Sequence, residues 1–368
     1  MSLAPALLLF MVGSVLLVVG AESLVRGASR LAAAARVSPL VVGLTVVAFG
    51  TSSPEFAVTI GSVAQGQTDL ALGNVIGSNI FNILLILGAS AAVAPLIVDQ
   101  QLVRLDVPLL IAASFAVVLM GLDGGIGRLD GLLLVAGLSA YTLFLVWQGR
   151  RAQRTMPVDH QDGRGAQPPG HGRWRLSLVL VVAGLLLLVV GAQLLVDAAV
   201  SIASTLGASS LVIGLTVVAA GTSLPELATS LLASVRGQRD IAVGNAIGSC
   251  LFNLLGVLGV AGLMAPDGIG VSAGALTFDL PIMLIVAVAT LPVFFTGHRI
   301  ARWEGAVFVA YYVAYTAYLV LDASQHPALP AFGTAMTWFI LPLTVLTLLV
   351  LTFRAVRERR SAPPAPVR

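Results

Sequence analysis

Residues 43–88 read GLTVVAFGTSSPEFAVTIGSVAQGQTDLALGNVIGSNIFNILLILG, and residues 214–259 read GLTVVAAGTSLPELATSLLASVRGQRDIAVGNAIGSCLFNLLGVLG. Shifted by 171 positions, the two align without a gap, and about 26 of the 46 pairs are identical. Internal repetition of this quality is the first thing a reading of the fold must satisfy. The similarity continues outward. Leu105-Asp106-Val107-Pro108 matches Phe278-Asp279-Leu280-Pro281, and Leu129-Asp130-Gly131 matches Trp303-Glu304-Gly305. Upstream, the run that ends VVGAE at Glu22 recurs as VVGAQ ending at Gln193. The chain is written twice.

The solvent of this chain follows from composition. Of its 368 residues, 58% are hydrophobic and only 10% charged, where a soluble domain carries about 25% charged residues. Apolar runs near the ~20 residues needed to cross a bilayer core fall at 5–25, 39–63, 70–94, 107–121 and 130–148, then at 176–199, 210–235, 241–264, 280–296 and 304–321. An eleventh, near 333–353, has no counterpart in the first half. The expected fold is an all-α polytopic membrane protein: ten core transmembrane helices as two inverted five-helix repeats, plus an eleventh C-terminal helix. The expected segments are a first repeat over 1–148, a polar Arg/Gly/Pro-rich linker over 149–175, a second repeat over 176–321, and an extra helix with a basic tail over 322–368. The N-terminal run lacks the basic region of a secretory signal, and its recurrence within the chain marks it as the first span.

Every cationic side chain is arginine, since the sequence contains no lysine. Six arginines in the linker place it in the cytoplasm, and counting back five spans puts the N-terminus outside. Loops expected inside carry Arg26, Arg30, Arg36, Arg104, Arg236, Arg239, Arg299 and Arg302; loops expected outside carry Asp69, Asp123, Asp197, Asp267 and Asp322, with Arg128 the one arginine. The net charge of +3 thus reads as loop arginine and not as a nucleic-acid surface. An odd number of spans per repeat inserts the two copies in opposite directions, an architecture many secondary transporters share. All four histidines lie in polar connections, and the one cysteine, Cys250, lies inside an apolar span. No zinc, haem or hydrolase constellation follows.

Within each repeat a helix breaker and a carboxylic acid interrupt an apolar run. Pro54 lacks the amide hydrogen that would bond the carbonyl of Gly50, so the helix must bend or break. Freed backbone groups at membrane depth are tolerated only where protein, water or ligand satisfies them. Thr51 and Ser52 lie four and three residues before Glu55, on its helical face, with the carbonyl of Ala48 nearby. Ala219, Thr222, Ser223 and Glu226 repeat the set. The next span adds Ser78 and Asn82, one turn apart, and in the second copy Ser249 and Asn253. Together they offer an all-oxygen shell of the kind hard cations such as calcium take. Two of the five glutamates in the chain occupy equivalent mid-membrane positions with no arginine in the main spans to neutralise them. Each must be protonated or matched by a cation. Elsewhere, Glu22 is expected to pair with Arg26 one turn on, Asp69 and Asp240 to form turns, and Asp106 and Asp279 to start helices.

The duplicated GTSxPE…GN…GS-x-x-FN pattern closely resembles the repeats of the sodium/calcium exchanger family, within the calcium:cation antiporters, over residues 1–321. The resemblance implies a site between the second, third, seventh and eighth helices that opens alternately to either side. Its cation ligands would be Thr51, Ser52, Glu55, Ser78 and Asn82, then Thr222, Ser223, Glu226, Ser249 and Asn253, with backbone oxygens at Ala48 and Ala219. Family members often place an aspartate where Asn82 or Asn253 stands. Here both are asparagine, so two carboxylates remain instead of three, and the coupling ion and stoichiometry stay open. The expected function is calcium export against sodium at the plasma membrane (the inner membrane in a Gram-negative cell), with proton-coupled exchange as the alternative. Calcium, sodium and the lipid bilayer are the expected partners; no enzyme activity, cofactor or nucleic acid is expected, and a monomer suffices.

Overall fold

The computed structural model describes residues 3–35, 37–155, 173–205, 219–347, 349–350 and 353. The middle of the linker, the first part of the span expected at 210–235, and the tail with Arg354, Arg357, Arg359 and Arg360 lie outside the described residues. The first half consists of α1 (Leu3–Ala35), α2 (Pro39–Thr51), α3 (Ser53–Ala64), α4 (Thr68–Val93), α5 (Leu102–Asp123) and α6 (Arg128–Thr155). The second has α7 (Arg173–Thr205), a short turn Ala219–Gly221, α8 (Leu224–Val235), α9 (Arg239–Met264), α10 (Ala275–Phe295) and α11 (Arg302–Ala323). The additional α12 spans Leu329–Thr347. Among the described residues nine helices are long and apolar enough to cross a membrane, and the bent pair α2–α3 makes ten. Exposed Leu143, Val313 and Leu343 are what a hydrocarbon solvent requires of a helix surface.

The first helix runs ten residues past its expected end, so Arg26 and Arg30 ride on the helix and not in a loop. Short connections follow where glycine supplies a left-handed turn: Gly66 and Gly237 have φ of 72° and 74° before α4 and α9. Asp69 and Asp240, expected in those loops, sit instead in the first turn of the helices, where the macrodipole favours a carboxylate. Asp130 accepts the Gly127 amide at 2.9 Å and Glu304 the Ala301 amide at 2.7 Å, so the two matched acids each cap the fifth helix of their half.

The halves lock together through reciprocal contacts. Helices α1 and α7 run antiparallel with glycine against backbone. A Cβ on Gly13 would lie 2.8 Å from the Gly191 carbonyl oxygen, and one on Gly20 would lie 2.9 Å from that of Gly184. The reverse holds at Gly184 and Gly191. Small residues are how helices approach closely where lipid removes the hydrophobic drive. The same exchange joins α4 to α11, where a Cβ on Gly305 would lie 2.5 Å from the Gly88 carbonyl, and α9 to α6, where one on Gly131 would lie 2.5 Å from that of Gly259. Two-residue strands complete the cross-linking. β1 (Leu96–Ile97) pairs antiparallel with β4 (Arg299–Ile300), and β2 (Gly125–Ile126) with β3 (Ile269–Gly270). Helices α4 and α9 are the most buried of the spans, and the others wrap them.

Asp106 and Asp279 correct the sequence reading. Neither caps a helix, because each lies within a continuous run that widens into a π-turn just before it. Asp106 is fully buried and accepts the Tyr141 hydroxyl at 2.9 Å, while Asp279 accepts Tyr315 at 3.2 Å. Each aspartate thus ties the fourth helix of its half to the fifth, a contact the linear sequence does not display.

Candidate cation site

Helices α2 and α3 meet at 45°, with the break at Ser52, whose ψ of 10° leaves the helical region. Pro54 then stands in the first turn of α3, where a missing amide hydrogen costs nothing. In the second copy, Ser223 (ψ 9°) and Pro225 repeat this before α8. Both half-helices present a carboxylate in their first turn, Glu55 and Glu226, at the end where the dipole is positive. Both are completely buried.

The two copies hold each other's acids. Ser52 Oγ donates to Glu226 Oε1 at 2.8 Å, and Ser223 Oγ donates to Glu55 Oε1 at 2.6 Å. Ser78 joins from α4, its hydroxyl 3.3 Å from Ser223 Oγ. Each carboxylate keeps its other oxygen, Oε2, buried and without a hydrogen-bond partner. The hydroxyls of Thr222 and Ser249 and all four amide atoms of Asn82 and Asn253 share that condition. Buried polar groups in proteins are overwhelmingly paired, so this concentration of unpaired atoms marks a place made for something the protein itself does not supply. Apart from the two amide nitrogens, the atoms are oxygens of carboxylate, hydroxyl and amide, the donor set of a hard cation.

The asparagines stand, buried, in a local widening of their helices. Phe81–Leu87 in α4 and Phe252–Val257 in α9 are π-helical, and Asn82 and Asn253 are the second residue of each. Such single-turn insertions are frequent at functional positions. Cys250 stands in α9 where α4 has Asn79; it is fully buried, and its Sγ lies 3.7 Å from the Asn79 carbonyl. It packs as a small polar-tolerant apolar group.

Two expected ligands are differently engaged. The Ala48 carbonyl already accepts the Ser52 amide at 3.0 Å and lies 3.4 Å from the Thr51 hydroxyl. In the other copy the Ser223 amide bonds Ala220 at 3.2 Å, one residue after Ala219. Thr51 Oγ1 lies 3.0 Å from Asn245 Oδ1 and 3.1 Å from the Val47 carbonyl, held by protein.

The bracing residues are ones sequence reading missed. Asn74 Nδ2 donates to the Glu55 carbonyl at 3.1 Å and to Thr59 Oγ1 at 2.9 Å. Asn245 Nδ2 donates to the Glu226 carbonyl at 3.3 Å and to Ser230 Oγ at 2.9 Å. Each asparagine thus fixes the first turn that carries the acid, from the neighbouring span. The signal was there: Asn74 and Asn245 occupy matched positions in the repeat, as do Thr59 and Ser230.

A bundle of apolar, membrane-length helices around a buried, paired-carboxylate oxygen cluster is the build of an integral membrane cation transporter. The profile described as "Sodium/calcium exchanger protein" matches residues 5–148 and 176–321. Over 288 residues the chain is 38% identical to the inner membrane protein YrbG of Escherichia coli, covering 78% of this chain and 87% of YrbG. Over 339 residues it is 32% identical to the sodium/calcium exchanger MaX1 of Methanosarcina acetivorans, covering 84% and 96%. Among solved structures, the sodium-calcium exchanger NCX_Mj, soaked with sodium and strontium, superposes with a TM-score of 0.73 at 32% identity, covering 86% of this chain and 99% of that one. The chain belongs to the sodium/calcium exchanger family, and it is a multi-pass antiporter of that family.

Proposed function

We propose that the protein exchanges calcium for sodium across the plasma membrane, through a site formed by Thr51, Ser52, Glu55, Ser78, Asn82, Thr222, Ser223, Glu226, Ser249 and Asn253, with carbonyl oxygens at Ala48 and Ala219. The observation that carries this is the pair of fully buried glutamates, each held through one oxygen by the opposite copy's serine and left with the other oxygen unpaired. An ionised carboxylate at membrane depth costs at least ~2.5 kcal/mol, so the empty pair demands compensation. One divalent ion or two monovalent ions provide it, which makes calcium and sodium competitors for the same charge. The halves enter the membrane inverted, with the N-terminus outside and the linker 149–175 in the cytoplasm. Rearrangement of the peripheral α1 and α7 against the inner helices exposes the site to one side at a time. A single chain is the working unit.

The test is calcium-45 uptake into sodium-loaded proteoliposomes, against choline-loaded controls, with Glu55→Gln and Glu226→Gln beside the native protein. Uptake that needs internal sodium and falls at least about a hundredfold in both variants, in keeping with ~2.5 kcal/mol or more of lost charge pairing, supports the reading. Uptake indifferent to sodium but driven by a pH gradient replaces it with proton coupling.

A further inference from the structure

Resting on the sodium/calcium reading, we infer that Glu22 and Arg236 form a latch that holds the exchanger closed on its cytoplasmic side and parts each time the site opens to the cytoplasm.

The two halves are unequal around the half-helices that carry the acids. Among the described residues α8 packs against both α1 and α7, whereas α3 makes little contact with either. Matched positions register the difference: Thr229 on α8 is fully buried, and Val58 on α3 is 44% exposed. With the N-terminus outside, α8 runs from its acid toward the cytoplasm and α3 from its own toward the exterior. Equal packing of the two would describe a state closed on both sides. The inequality describes a molecule covered on the inside and uncovered on the outside.

The ion pair stands on the covered side alone. Glu22 lies on α1, and Arg236 is the residue that follows α8. Arg236 Nε donates to Glu22 Oε2 at 3.0 Å, and its Nη2 lies 3.0 Å from the same oxygen. The other oxygen, Oε1, meets Arg26 one turn along α1. The matched outer positions are Gln193 on α7 and Gln65 at the end of α3, both uncharged. Gln193 donates to Asp197 of its own helix at 3.2 Å. Charge attraction therefore joins α1 to the half-helix on one side of the membrane, and the duplicated positions do not repeat it on the other.

This bond sits where movement has to pass. The glycine seam fixes α1 to α7 backbone against backbone, so a tie on α1 restrains both. The other end of the tie is α8, which carries Glu226 in its first turn and is braced to α9 through Asn245. Moving α1 and α7 off α8 separates Glu22 from Arg236. Glu22 keeps Arg26, which travels on the same helix, so opening strands no carboxylate. The side chain of Arg236 is 54% exposed and that of Glu22 20%. A pair so exposed to solvent and salt shifts an equilibrium by at most about fivefold, a bias that a transport cycle can overcome at every turn.

The experiment measures half-saturating calcium for sodium-coupled flux from each face, in inside-out and right-side-out vesicles bearing the full chain. A conformation that is more populated binds with a lower apparent constant. Glu22→Gln and Arg236→Gln are each expected to lower the constant at the cytoplasmic face by up to about fivefold, with a smaller rise at the outer face. High ionic strength should move the native protein toward the variants. A second variant, Glu22→Cys with Arg236→Cys, should stop exchanging when a short bifunctional thiosulfonate joins the two thiols, and recover on reduction. The native chain, whose one thiol at Cys250 is completely buried, is the blank for that reagent. Unchanged constants at both faces in both single variants, or a crosslinked chain that still exchanges at the native rate, overturn the inference and leave sodium/calcium exchange standing. So does a shift confined to the outer face. An absence of sodium-driven uptake in the native protein removes the exchange reading, and this inference with it.

Discussion

The motif Ala48–Glu55 and its copy Ala219–Glu226 are near-identical in sequence and unequal in structure. In the first, Thr51 is engaged by Asn245 and by its own helix, while in the second the Thr222 hydroxyl is buried and unpaired. Asn245 bonds three groups, Thr51, the Glu226 carbonyl and Ser230; Asn74 bonds two, the Glu55 carbonyl and Thr59. Each serine is given to the opposite glutamate, though Ser223 also lies 3.3 Å from Ser78. Duplication therefore supplies matched parts, and packing decides which are structural and which stay available. The charges are symmetric, and the hydroxyls around them are not.

This inequality can be broken by paired substitutions. The largest difference is expected between Asn245→Ala and Asn74→Ala. Leaving buried partners unsatisfied costs ~1–3 kcal/mol, and the cost should be greater at Asn245, which has more of them. Thermal melting of the purified protein in detergent would show it as a larger fall in Tm for Asn245→Ala; equal falls would mean that the third bond carries no weight. The next pair is Thr51→Val against Thr222→Val. Thr51→Val should lose about 1 kcal/mol of stability and weaken calcium binding less than Thr222→Val does. Thr222→Val should melt like the native protein and bind calcium more weakly by about 1 kcal/mol, several-fold in Kd. Calorimetric titration beside a melting curve separates the two, and a reversal of the pattern would show that Thr51 is the free ligand. The smallest effect belongs to Glu22, which pairs with Arg26 and, at 3.0 Å, with Arg236 of the other half. At the matched position Gln193 bonds Asp197 instead. Glu22→Gln should cost at most ~1 kcal/mol and less in high salt, and Gln193→Ala less still. A large, salt-independent loss of Tm in Glu22→Gln would make that bridge a principal tie between the halves.

Much of this was legible in the sequence because it repeats at fixed period. The spans, the breaks at Pro54 and Pro225 and the two acids all announce themselves through hydropathy and the 171-residue offset. What stayed hidden was of two kinds. Contacts between spans have no one-dimensional trace, which is why Asp106 and Asp279 read as helix starts when each is bonded to a tyrosine on the neighbouring helix. The expected pairing of Glu22 with Arg26 was local and is present, whereas its second partner, Arg236, comes from the other half and left no local sign. The π-turns were hidden for another reason. A widened turn needs no special residue, so the register that brings Asn82 and Asn253 inward is set by packing around α4 and α9. Asn74 and Asn245 could have been found by asking which polar residues are identical in both copies and still unexplained.

The glycine seam between α1 and α7 limits what either helix can do alone. Where backbone rests on backbone there is no side chain to flex and no gap for a lipid tail to enter. The close approaches at Gly13, Gly20 and Gly27 run through the middle of the pair. Separating the helices would open a slot in hydrocarbon with nothing to fill it. They form one plank with two grains, and any push delivered to one end of α1 is delivered equally to α7.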